Sequence, residues 1–156
     1  MIAVAAGLAL PSAGFGAPAP HCSSSQLQLK FVSFQGATGH RFWQLAFKNV
    51  GSKCKLHGFP RVVLLDSAGH AIHATIKHET GPVPTVTVSH GKRAHFTFSY
   101  ADGGFCSKHF HAARLRIFPP GGSLGFLFNP VPANHGAIFI CTGSEQISPV
   151  RPKPGG

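Results

Sequence analysis

Residues 94–100 read Ala94-His95-Phe96-Thr97-Phe98-Ser99-Tyr100. Apolar and polar side chains alternate without a break, the period of a β-strand with one dry and one wet face. Ala94, Phe96, Phe98 and Tyr100 belong to the dry face. His95, Thr97 and Ser99 belong to the wet one, and Asp102-Gly103-Gly104 breaks the run. The same period recurs on both sides. Leu27, Leu29 and Phe31 alternate with Gln28 and Lys30; Trp43, Leu45 and Phe47 with Gln44 and Lys48; Leu115 and Ile117 with Arg114 and Arg116. Residues 62–65 form a continuous apolar run of strand length, and 124–128 and 137–141 supply two further apolar segments. Between them stand turn sequences: Gly36-Ala37-Thr38-Gly39, Asn49-Val50-Gly51-Ser52, Asp66-Ser67-Ala68-Gly69, His90-Gly91-Lys92 and Pro119-Pro120-Gly121-Gly122. Pro82 and Pro84 mark a loop or edge before Val86 and Val88. No segment sustains a helical period, and residues 109–114 have room for one helical turn.

Composition agrees with this pattern. The chain has 156 residues, enough for one domain. Its 19 Gly and 13 Pro break regular structure too often for a helical bundle. At 43% hydrophobic residues it has apolar material to bury, which excludes a disordered polyelectrolyte. The expected fold is all-β: an antiparallel β-sandwich of immunoglobulin-like arrangement, with Trp43 in the core beside a disulfide. A closed barrel is the alternative. This single domain is expected over residues 20–148. The remaining 149–156, Pro-Val-Arg-Pro-Lys-Pro-Gly-Gly, reads as a flexible tail.

The first 19 residues read as a secretory signal peptide. Residues 2–10 are apolar, Pro11 and small residues follow, and cleavage is expected near 16–19. The run is about half the length of a membrane-spanning helix, so no transmembrane segment is expected after cleavage. Ala19-Pro20-His21 before Cys22 does not match a lipid-attachment box. The expected location is therefore extracellular or in the cell envelope. Four cysteines, Cys22, Cys54, Cys106 and Cys141, read as two disulfides in that compartment. Three pairings are open. Pairing neighbours along the chain, Cys22 with Cys54 and Cys106 with Cys141, is preferred, with about 3–4 kcal/mol of stabilisation per bridge. A cysteine metal site needs closely spaced pairs, and the sequence has none.

An ordered series of residues carries a family resemblance. It runs from Cys22 through Gly36-Ala37-Thr38-Gly39-His40 and Leu45-Ala46-Phe47-Lys48-Asn49-Val50-Gly51. It continues in Cys54-Lys55-Leu56-His57-Gly58-Phe59-Pro60 and Val63-Leu64-Leu65-Asp66-Ser67-Ala68-Gly69. It resembles a family of exported actinobacterial proteins catalogued as domain of unknown function 4232. The resemblance extends more loosely through residues 86–91 to Cys106 and Pro119-Pro120. It implies an exported or envelope-associated β-sandwich with no established activity.

The chemistry-bearing residues point away from catalysis. Paired-carboxylate mechanisms need two acids converging on one site. The chain has only Asp66, Glu79, Asp102 and Glu145, of which Asp66 and Asp102 sit at turns. A nucleophile elbow and a phosphate-cradling glycine loop are both missing. The chain reads as a non-enzymatic binding domain without a cofactor. Its firmest clue is the formal net charge of +10, which attracts polyanions. Lys53, Lys55, Lys92, Arg93, Arg114 and Arg116 are the densest points and the candidate anion-binding set. Expected partners are an anionic envelope polymer, lipid headgroups, or a host or envelope protein. Nucleic acid is not expected, because aromatic residues do not interleave with the outward basic ones. The alternative is a secreted transition-metal-binding module. His109 and His111 share one face of an extended segment, a spacing that can chelate. With 11 histidines in the chain, anion binding should strengthen in mild acid.

Overall fold

A computed structural model describes residues 17–130 and 138–154. The apolar run at 2–10, Ala137 and the last two glycines lie outside the described residues. The chain is all-β, with two short 3-10 turns and no α-helix among the described residues. Its strands are β1 (Leu27–Ala37), β2 (His40–Asn49), β3 (Cys54–His57), β4 (Arg61–Leu65), β5 (Lys77–His78) and β6 (Thr85–Val88). There follow β7 (Arg93–Ala101), β8 (His109–Ala112), β9 (Arg114–Phe118), β10 (Phe126–Phe128), β11 (Ile138–Cys141) and β12 (Gln146–Ile147).

The alternating strand at 94–100 is the middle of the largest sheet, ordered β1-β2-β7-β12-β5. Its register against β2 sets Phe96 opposite Leu45 and Phe98 opposite Trp43, so the dry faces coincide. A bulge between Phe31 and Ser33 in β1 brings Phe34 opposite Trp43, onto the face that Phe31 already occupies. The remaining strands form smaller sheets: β10-β9-β4, the pair β8-β11 and the pair β3-β6. Leu45, Phe47, Phe96, Phe98 and Ile147 of the large sheet form one buried cluster with Leu56, Leu64, Val88, Leu115 and Ile117 of the smaller ones. Each such side chain contributes about 1.5–3 kcal/mol on burial. Phe47 stacks on Phe96 at 4.8 Å between ring centroids and reaches Phe126 of β10 at 6.0 Å.

Cys22 bonds to Cys54 and Cys106 to Cys141. The first bridge ties the segment before β1 to β3, where Cys22 N–H donates to the Lys55 carbonyl at 3.0 Å. The second closes the β8-β11 pair beside Asp102.

Three expectations are corrected. The large sheet is not wholly antiparallel, because β12 pairs with β5 in parallel. The two are far apart in sequence, so no tight hairpin dictates their direction. Residues 109–114 make no helical turn. They form β8 and the start of β9, because β11 pairs along β8 from Ala112 to His109. Trp43 is buried in the core, as expected, with Phe34 at 4.4 Å, Phe128 at 5.6 Å and Phe31 at 6.0 Å from its ring. Its Nε1–H donates to the Tyr100 hydroxyl at 3.4 Å. Finally, the fold does not stop at residue 148. Val150 is fully buried and its N–H donates to the Gly58 carbonyl at 3.0 Å. Arg151 exchanges two backbone hydrogen bonds with His95. A proline-rich composition hid one apolar residue placed to fill the core. Gly58 receives that contact at φ +106, a conformation that favours glycine.

Candidate binding surfaces

Four of the six candidate anion-binding residues come together at one end of the molecule. Lys53 and Lys55 follow the turn after β2; Lys92 and Arg93 form the turn into β7. Buried Asn49 locks the two turns to each other. Its Nδ2 donates to the Ser52 and Val88 carbonyls, each at 2.8 Å, and its Oδ1 accepts from Gly51 N–H at 2.8 Å. Its own backbone N–H donates to the Lys92 carbonyl at 3.0 Å, and Gly91 N–H donates to the Asn49 carbonyl at 2.7 Å. His90 Nδ1 lies 3.1 Å from the Gly51 carbonyl, and Gln26 Nε2 donates to the Ser52 carbonyl at 3.0 Å. Lys48 stands directly opposite Arg93 in the β2–β7 register, a like-charge pairing that sheets disfavour. Lys53, Lys92 and Arg93 are exposed.

Arg114 and Arg116 are elsewhere. They point outward from β9, while Leu115 and Ile117 are buried. Arg114 donates to the Ser67 carbonyl at 3.1 Å, and nearby Arg61 lies over the Phe118 ring at 3.5 Å. Three of the four carboxylates are spent locally. Asp102 pairs with Arg41 at 2.7 Å, Glu79 with Arg151 at 3.1 Å, and Asp66 lies 3.4 Å from the His70 ring. The His70 backbone N–H holds the Asp66 carboxyl below its usual range. Glu145 is fully buried. Among the described residues no ion pair involves Lys48, Lys53, Lys55, Lys92 or Arg93.

The histidines disperse. His109 and His111 do share the exposed face of β8, with near-parallel rings 5.8 Å apart and the Phe139 ring 4.1 Å from His111. No third His, Cys, Asp or Glu joins them in a ligand group among the described residues. His57 meets Thr85 Oγ1 at 3.2 Å, and His78 stacks on Phe59 at 3.9 Å.

A third surface was not singled out in the sequence. On the wet face of the large sheet a cavity of about 310 Å³ is lined by Gln35, Phe42, Gln44, Thr97, Ser99 and Gln146, with Ser148, Glu79 and Arg151 completing it. Thr97 Oγ1 donates to Gln44 Oε1 at 3.0 Å, and Thr97 N–H donates to Ser148 Oγ at 2.9 Å. The alternation marks Gln44, Thr97 and Ser99 as outward. Nothing in the sequence brings β12 and the Glu79–Arg151 pair beside them.

The molecule is thus a small β domain stapled by two disulfides. The chain belongs to the family described as Domain of unknown function (DUF4232), whose model matches residues 22–151. The match runs from the first cysteine to Arg151, the residue paired with His95. No curated protein and no solved structure matches the chain. Two disulfides fit an oxidising, extracellular setting. No helix among the described residues is long and apolar enough to cross a membrane.

Proposed function

We propose that this chain is an exported, non-enzymatic binding domain whose basic end holds a phosphate-bearing envelope polymer. Residues 1–19 act as its signal peptide, and its two layers of strands make an immunoglobulin-like sandwich. It belongs with the exported actinobacterial members of the family. The observation that carries the reading is the pair of turns locked by Asn49. They present Lys53, Lys55, Lys92 and Arg93 from a rigid frame, with no carboxylate paired to them among the described residues. Cations on a fixed frame lose little conformational entropy when they meet a polyanion. The opposed Lys48 and Arg93 are relieved when an anion sits between them. Asp66, Glu79 and Asp102 already have local partners, which favours binding over acid–base work.

The test is titration of the full chain with inorganic polyphosphate at several salt concentrations. Affinity is expected to fall steeply with salt. Lys53→Gln/Lys92→Gln/Arg93→Gln together should weaken it by about tenfold or more, while Arg114→Gln/Arg116→Gln changes it by less than about twofold. Salt-independent binding, or equal losses from both sets, defeats the reading. Vesicles of phosphatidylglycerol in a parallel titration separate a lipid headgroup from a soluble polymer.

A further inference from the structure

We propose that the cavity on the wet face of the large sheet is a second site, for a neutral oligosaccharide. Its floor is the register row Gln35–Phe42–Ser99–Gln146, with Gln44 and Thr97 one row away. The exposed carboxamides of Gln35 and Gln146 and the hydroxyl of Ser99 supply donors and acceptors side by side. That is what a vicinal diol needs, since each hydroxyl both gives and takes a hydrogen bond. The Phe42 ring is half-buried in the same floor and offers an apolar face to the C–H side of a sugar ring. The volume, about 310 Å³, lies at the small end of small-molecule sites.

Charge selects the ligand class. The protein carries +10 overall, yet the charged residues lining this cavity are Glu79 and Arg151, paired with each other at 3.1 Å. Their charges cancel, so the cavity offers a polyanion nothing that the basic end does not offer better. A ligand that uses it must be held by hydrogen bonds and apolar contact. The floor is also preorganised. Thr97 orients the Gln44 carboxamide, and Ser148 Oγ, which accepts from Thr97 N–H, donates to the Pro149 carbonyl at 3.0 Å. β2, β7 and β12 are interior strands of the sheet, so the floor stays fixed while a sugar chain lies across it. The site shares no residue with the basic end.

The experiment is an amide-shift titration of the ¹⁵N-labelled full chain by NMR. The probes are cellohexaose, maltohexaose, mannohexaose and chitohexaose, with oligogalacturonate as the acidic comparison. At least one neutral sugar should shift the amides of Thr97, Ser99 and Gln146 saturably, with affinity changing less than about twofold between low and high salt. Phe42→Ala should weaken it about tenfold, and Gln146→Ala, at an exposed position, about threefold. The triple variant of the basic end should leave it unchanged. If Phe42→Ala does not fold, Gln35→Ala and Gln146→Ala carry the test alone. Absence of shifts at these amides with all four neutral sugars at about 10 mM overturns the proposal. So does a response to oligogalacturonate alone that fades with salt.

Discussion

Replacing Asn49 with alanine tests the frame on which the basic end is built. The carboxamide is fully buried and makes three hydrogen bonds of 2.8 Å. They do not cost the same to lose. The Ser52 carbonyl keeps a second donor in Gln26 Nε2, and Gly51 N–H lies near enough to the surface for water to replace the bond. Those two losses amount to about 1 kcal/mol each. The Val88 carbonyl is deep in the structure and loses its side-chain donor, which costs about 1–3 kcal/mol more. The total, about 3–5 kcal/mol, is a large share of the stability of a domain this size. In urea the unfolding midpoint should fall by about 2 M, with the slope unchanged. Asn49→Asp should do at least as much damage. It keeps the acceptor for Gly51 but turns an oxygen toward two carbonyls. Below the transition, both variants should bind polyphosphate more weakly than the parent, although no cation has been removed. A midpoint shift under about 0.5 M, or Asp tolerated better than Ala, would refute the assignment of Asn49 as the lock.

Two further outcomes follow from the corrected end of the fold and from β7. Truncation after Ser148 removes buried Val150 and the backbone bonds of residues 150 and 151 to Gly58 and His95. It should cost about 4–6 kcal/mol and lower the melting temperature by more than about 10 °C, whereas truncation after Arg151 should cost little. Equal melting temperatures for the two truncations would show that the segment does not pack. His95 is held below its usual range, first by burial and then by Arg93 beside it; its Nδ1 is buried without a hydrogen-bond partner among the described residues. The unfolded chain therefore takes up that proton first, and stability should be lost as pH falls from about 6.5 through the folded value. His95→Gln should flatten that acid-side slope in urea midpoints measured between about pH 7 and about pH 5, and an unchanged slope would count against it.

The strand period was legible because it depends only on neighbours in sequence. Ala94 to Tyr100, and Leu115 with Ile117, bury the face that alternation assigns; Trp43 to Phe47 does so too, but there Gln44 and Ala46 of the opposite face are buried as well. What failed was long-range. Phe34 reaches the Trp43 face only because Val32 is the extra residue of a bulge, and no local signal marks that insertion. β12 is two residues long and sits between β7 and β5, a place dictated by tertiary pairing rather than by propensity. Val150 was hidden among prolines that usually mark a mobile end. The basic residues were legible as a set but not as a place. Lys53 and Arg93 are far apart in sequence, and what brings their turns together is the side chain of Asn49, which reads locally as a turn residue.

The two proposed sites meet on one strand, and that makes them separable. Arg93, His95, Thr97 and Ser99 point to the same face of β7, because every second residue does. At about 3.3 Å per residue, some 20 Å separate Arg93 from Ser99. Over that distance the row changes from cationic to neutral, and exposed charges so far apart are screened from each other at physiological salt. Removing Arg93 should therefore act on the salt-sensitive binding and not on the salt-insensitive one. Replacing Ser99 with alanine should do the reverse. If both substitutions moved both kinds of binding, the wet face would be one continuous site, and the division into an anionic and a neutral ligand would have to be abandoned.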